Sequence, residues 1–211
     1  MKKLLNILTS FSLAIFIICG SIIVGLKFKS LYYYDVKKLN ISDVSGFSDD
    51  EIKLNYDYLI DYNLNNKVEE FNLPTIKYST QGKIHFEEVR NIFQIIKKVF
   101  YLTGLISILG IILNIKDKNI KFLNITSITT ILLPVIVSIL LIINFNYFFI
   151  KFHEAVFSND YWIFDEATDP VIMILPDAFF LHCAVMIILL ILIGSLLCMG
   201  FRSFFRHRFM L

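Results

Sequence analysis

Cysteine is scarce in this chain, and the three that occur, Cys19, Cys183 and Cys198, all lie inside long apolar runs. The connecting segments contain none, which excludes a disulfide framework there. There is no glycine-rich phosphate loop among the eight glycines, no Cys/His spacing of the kind that holds a metal, no internal repeat and no nucleic-acid signature. Charge is sparse as well. Only 18% of the residues are Asp, Glu, Lys or Arg, against 56% hydrophobic and 15% aromatic residues. That exceeds what a soluble core needs, so the solvent for most of the chain is lipid.

Four apolar runs, Leu4–Leu26, Val99–Ile115, Phe122–Ile150 and Phe179–Gly200, account for the excess. Each is close to or above the ~20 helical residues that cross a ~30 Å hydrocarbon slab. In lipid each can satisfy its own backbone only as a helix. The first run follows Lys2 and Lys3 as a secretory signal would, but it is long and no A-x-A-like site follows it, so it reads as a retained anchor. A lipoprotein-type signal ending at Cys19 fails too, because Ile18 is bulky and the apolar run continues to Val24.

Basic residues in short loops set orientation. Lys2 and Lys3 precede the first run, Lys116, Lys118 and Lys121 separate the second from the third, and Arg202, Arg206 and Arg208 follow the fourth, with Asp117 the one acid among them. The remaining twelve basic and seventeen acidic residues fall on the other side. The expectation is an α-helical membrane protein, one integral domain over 1–211 with both termini cytoplasmic. Four transmembrane helices (about 4–26, 99–115, 122–150 and 179–200) carry an extracytoplasmic cap and loop, 27–98 and 151–178. Lys97 and Lys98 run against the rule, but they close a long segment whose charge counts for less.

The cap segment is not disordered by composition, since Tyr, Phe, Ile and Leu recur throughout it. Ser48-Asp49-Asp50-Glu51 fits a capping box, and Ile52, Tyr56, Leu59 and Ile60 continue it as an amphipathic helix of roughly three turns. Leu73-Pro74 breaks the chain, and Leu31–Val36 and Thr75–Ser79 read as short extended pieces. Val89, Ile92, Phe93 and Ile96 share a stripe that runs uninterrupted into the second span, predicting one helix from about Phe86 to Ile115 with His85 at or beside its N-terminus. The third run would be about 43 Å long as a helix, so it must tilt or protrude, bringing Lys151 and His153 to the outer interface. In the last loop Phe157, Tyr161, Trp162 and Phe164 alternate with Asp160, Asp165 and Asp169. The bland reading is an interfacial aromatic belt with Trp162, the single tryptophan, as anchor.

This topology brings His85 and His153 to one membrane surface. Taken singly, each is more commonly a satisfied interfacial residue, so the pair is what points to proton transfer near neutral pH. Glu88, three residues on from His85, is spaced to orient its ring. Asn146, seven residues before His153, shares its helical stripe, and an amide in the lipid core ordinarily faces the bundle. Arg90 and Lys151 are candidates for lipid headgroup contact. His182 and Cys183 are adjacent on a helix, point about 100° apart and read as packing.

The stretches Gly82-Lys83-Ile84-His85-Phe86-Glu87-Glu88-Val89-Arg90 and Phe152-His153-Glu154-Ala155-Val156-Phe157-Ser158-Asn159-Asp160-Tyr161-Trp162, the latter running on to Asp169-Pro170-Val171-Ile172 and Leu175-Pro176-Asp177-Ala178-Phe179-Phe180, resemble the lipoprotein intramolecular transacylase family. Asn55-Tyr56-Asp57-Tyr58-Leu59 fits as well, and the family more usually has Asp where Glu88 stands. The resemblance implies a bacterial enzyme that moves the sn-2 acyl chain of a diacylglyceryl lipoprotein onto the α-amino group of its own N-terminal cysteine, giving the lyso form. It further implies no cofactor, metal or nucleic acid, with the diacylated lipoprotein and membrane lipid as partners and His85 and His153 as the catalytic pair. Asn159, Trp162 or loop N–H groups are then candidate donors to the oxyanion. The alternatives from the residues themselves are a non-enzymatic accessory or sensor module with an outer binding cap, and a lipid-ester hydrolase.

Overall fold

Each apolar run lies within a longer helix. In the computed structural model, which describes residues 2–65, 68 and 70–209, the order is α1 (Lys2–Lys27), α2 (Lys29–Lys38), α3 (Ile41–Ser45), α4 (Asp49–Leu64), α5 (Thr80–Lys116), α6 (Lys121–Val156), a 3₁₀ turn (Pro170–Ile174) and α7 (Asp177–Phe209). The end of the tail assigned to the cytoplasm, Met210 and Leu211, lies outside the described residues, as do 66, 67 and 69 of the cap segment. Four helices, α1, α5, α6 and α7, are long and apolar enough to cross a membrane. Among the described residues there is no strand.

The chain divides into two compact units. The first comprises Met1–Gly25, Ile96–Leu140 and Val185–Leu211. Its helices present large apolar side chains outward, such as Leu105, Ile108, Leu109 and Ile112 on α5, as helices solvated by lipid do. Inside the unit, small and polar residues hold the helices together. Ser12 donates to the Thr103 carbonyl at 2.9 Å, Ser10 to that of Phe122 at 3.1 Å, and the Ser127 and Ser195 hydroxyls meet at 3.0 Å. A Cβ on Gly110 would collide with Thr9, whose hydroxyl accepts from Asn114 at 3.1 Å, so the glycine is what lets α1 and α5 approach there.

The second unit, Leu26–Ile95 and Leu141–Ala184, is built on an aromatic core of Tyr32, Tyr56, Tyr62, Phe71, Phe86 and Phe179. The Tyr32 and Tyr56 rings stack at 3.6 Å, and the Tyr32 hydroxyl donates to the Ile174 carbonyl at 2.7 Å. The capping box at Ser48 and Glu51 forms in both directions and starts a 16-residue α4, a turn longer than its apolar pattern predicts. Two expectations fail here. Leu31–Val36 is helical, because Tyr32, Asp35 and Val36 are its buried positions and that spacing is a helix stripe. The segment Thr75–Ser79 pairs with no strand. It is fixed instead by Asn55, whose side chain donates to the Thr75 hydroxyl at 2.6 Å and accepts from the Thr75 and Ile76 N–H groups at 3.3 Å.

The third run does not cross as one rod. Asn144 leaves helical geometry (φ −166°, ψ 95°), and its side chain accepts from the Tyr147 N–H at 3.0 Å. That is N-cap geometry, so Asn144 ends one helical segment and starts another that runs to Val156.

Candidate functional site

The second unit receives one imidazole from α5 and one from the end of α6. Ser79 starts α5, its hydroxyl accepting from the Gly82 N–H at 2.9 Å, while the buried Asp169 carboxylate accepts from the Ser79 N–H at 2.7 Å and from the Thr168 hydroxyl at 2.8 Å. A negative charge there favours the helix N-terminus. A Cβ on Gly82 would collide with that carboxylate, and only glycine admits so close an approach. The helix therefore begins at Thr80 rather than near Phe86. His85 stands in its second turn, beyond the first-turn reach of the dipole.

His85 is 6% exposed, and its ring centroid lies 6.3 Å from that of His153. Phe157 and Phe164 meet His85 edge-on at 4.8 and 5.4 Å. Trp162 lies 4.9 Å from His153, and Phe149 lies 4.3 Å from it on the preceding turn. His153 Nδ1 bonds to the Phe149 carbonyl oxygen at 2.7 Å. A carbonyl only accepts, so Nδ1 carries the proton and neutral His153 presents its lone pair at Nε2. Trp162 is thus more than an interfacial anchor, since its ring covers one imidazole.

Glu88 does not orient the His85 ring as its spacing predicted. Its Oε1 accepts from Asn159 Nδ2 at 2.8 Å, and Asn159 Oδ1 in turn accepts from the Tyr161 N–H at 3.0 Å. His85 Nδ1, Glu88 Oε2 and Trp162 Nε1 are each buried without a hydrogen-bond partner. Asn146 is exposed and stands outside this cluster. The expectation that it faces the bundle therefore fails, although it lies on the same helical segment as His153, which starts at Asn144. Arg90 lies over the Tyr62 ring at 4.5 Å, and Lys151 pairs with Glu154 at 2.6 Å. Among the described residues no three His, Cys, Asp or Glu side chains are grouped to hold a metal ion.

Sequence reasoning missed two features. The aromatic wall of His85 was visible only as a dense loop composition. Nothing local pairs His182 with Asp35, yet its Nδ1 lies 2.9 Å from both oxygens of that fully buried carboxylate. Cys183, next along, packs on the aromatic core.

A model of the lipoprotein intramolecular transacylase family, Lit, matches residues 7–180. The chain belongs to that family. Among solved structures, the membrane integral lipoprotein intramolecular transacylase Lit from Bacillus cereus matches with a TM-score of 0.96 at 41% identity, covering 99% of this chain and 97% of that one. Two further structures of the Bacillus cereus Lit, with the H85R and H85A mutations, match at 40% identity and a TM-score of 0.90, covering 99% of this chain and 93% and 94% of theirs. No curated protein matches. Like other Lit proteins, this chain is a multi-pass membrane acyltransferase acting on lipoproteins.

Proposed function

We propose that this Lit protein moves the sn-2 acyl chain of a diacylglyceryl lipoprotein to the α-amino group of the lipoprotein's N-terminal cysteine, on the extracytoplasmic face, with His85 and His153 as the acid–base pair. The observation that carries the reading is the imidazole pair itself, 6.3 Å between ring centroids, with aromatic side chains around both rings.

Ester-to-amide transfer needs a neutral amine, and an α-ammonium with a reference pKa near 8 demands only a modest base. His153 Nε2, the lone-pair nitrogen of the neutral ring, suits that task. The amine lone pair adds to the ester carbonyl carbon, the carbonyl π pair moves onto oxygen, and the imidazole takes the proton the nitrogen sheds. Collapse re-forms the carbonyl and breaks the bond to the sn-2 oxygen, which takes back from the imidazole pair one of the two protons that an ammonium sheds in becoming an amide nitrogen; the other passes to solvent, so each cycle releases one proton. The Trp162 indole N–H, buried and without a partner, is a donor suited to the oxyanion. Amine and ester belong to one molecule, so the protein's main work is to fold the lipid headgroup into attack geometry.

Mass spectrometry of a reporter lipoprotein's N-terminal peptide, with and without this protein, tests the reading. The expected product is N-acylated and S-monoacylglyceryl, at unchanged total mass. Release of free fatty acid identifies a hydrolase instead. An unaltered peptide identifies a non-enzymatic module.

A further inference from the structure

We infer that Glu88 is the receptor for the substrate's α-ammonium, held in place for that purpose by Asn159; the inference rests on the transacylase reading above and adds the group that selects a free amine.

Among the described residues, five buried side-chain polar atoms lack a hydrogen-bond partner, and three of them, His85 Nδ1, Glu88 Oε2 and Trp162 Nε1, belong to this one cluster. A buried carboxylate oxygen is the costliest of these to leave unmade, since hydrogen bonds to charged groups are stronger than neutral ones. It is also the only one of the three that cannot donate when ionised, so its partner must bring a proton and is best a cation. The other oxygen is already engaged by Asn159 Nδ2 at 2.8 Å, and Asn159 cannot swing away because the Tyr161 N–H holds its Oδ1 at 3.0 Å. The carboxylate is therefore aimed rather than free to turn. Neighbouring lysines are engaged elsewhere, Lys83 with Glu70 and Glu87, and Lys151 with Glu154.

A primary ammonium fits this oxygen. It can donate one N–H to Glu88 and still yield another proton to a base, after which the neutral amine keeps its bond to Glu88 and directs its lone pair at the ester. Asn159 belongs to the segment that also supplies Phe157 and Trp162, so amine, carbonyl and imidazoles are positioned by one stretch of chain against α5. An N-acylated terminus has no charge to offer and would leave the carboxylate oxygen unpaired.

The test compares binding of two short diacylglyceryl lipopeptides to the full-length protein in nanodiscs, one with a free α-amine and one N-acetylated. Wild type is expected to prefer the free amine by about ten- to a hundredfold, the scale of one charge-assisted hydrogen bond. Glu88→Gln should bring the two affinities within about threefold of each other, Glu88→Asp should keep the preference, and Asn159→Ala should reduce it. A merely structural role would lower both affinities together and leave their ratio unchanged. Equal binding by wild type, or a wild-type ratio in Glu88→Gln, overturns the inference, and the wild-type comparison with Asn159→Ala decides even if Glu88→Gln fails to fold. Conversion of the free-amine peptide to the N-acyl lyso product, scored in the same preparation, separates failure of this inference from failure of the transacylase reading.

Discussion

At the scale of single residues, the two histidines differ in how they are held. His153 has its tautomer set by the Phe149 carbonyl, whereas His85 is shut in by Phe157 and Phe164 with Nδ1 unpaired. If both take part in proton transfer, His85→Ala and His153→Ala, each still inserted in the membrane, lose about 10²–10⁴-fold in rate of lyso-form production. The cysteines offer no substitute nucleophile: Cys19 and Cys198 are buried in the helix unit, and Cys183 packs on the aromatic core of the other unit. A triple Cys→Ala variant is therefore expected to keep its activity, and a well-folded but inert cysteine-free protein would expose a covalent route. Trp162→Phe keeps a ring for His153 and removes the N–H, so a donor role predicts a loss of about 10²–10³-fold in rate, while a purely packing role predicts little change.

At the scale of elements, the first turn of α5 decides where His85 points, and its cap is assembled from both sides of the chain. Gly82→Ala forces a methyl against the buried Asp169 carboxylate, and Asp169→Ala leaves the half-buried Ser79 N–H without its partner. Each should lower stability by about 1–3 kcal/mol, read as a lower midpoint of thermal unfolding, and should reduce activity by disturbing His85. Ser48→Ala at the exposed start of α4 is expected to cost about 1 kcal/mol and to leave activity in place, because the side-chain bonds of that cap run only between Ser48 and Glu51. The contrast explains what was legible. The α4 cap is a local pattern, four residues long, so the sequence announces it. The start of α5 depends on a carboxylate 90 positions away, and the break at Asn144 on one amide inside an otherwise uniform apolar run. The approach of the two histidines could be read because the topology expected from the apolar runs and their charge pattern puts positions 85 and 153 at one membrane surface, and their rings lie 6.3 Å apart. The Asn159–Glu88 bond and the His182–Asp35 pair could not, since nothing in either neighbourhood encodes the partner.

At the scale of the molecule, charge is divided as the two units are. Every basic residue assigned to the cytoplasmic side falls in the helix unit, which holds a single acid, Asp117, paired with Lys2 at 3.3 Å. The other seventeen acids and the imidazole pair fall in the second unit. The proposed orientation rests on the rule that positively charged short loops are retained inside during insertion, whereas acids contribute little. In a cysteine-free background, thiols introduced at Asp43 and Thr168 should therefore react with a membrane-impermeant reagent applied to intact cells, and one at Lys116 only after permeabilisation. All three native side chains are exposed, so a failure to label cannot be laid to burial. Asn119 would be a poorer inner reporter, because it is half-buried and bonded to Asn6 and Asn114 at 2.8 Å. Labelling of Lys116→Cys from outside, with Asp43→Cys and Thr168→Cys protected, would turn the molecule over and put the histidines on the cytoplasmic face. A lipoprotein whose N-terminal cysteine is presented outside could not then be the substrate.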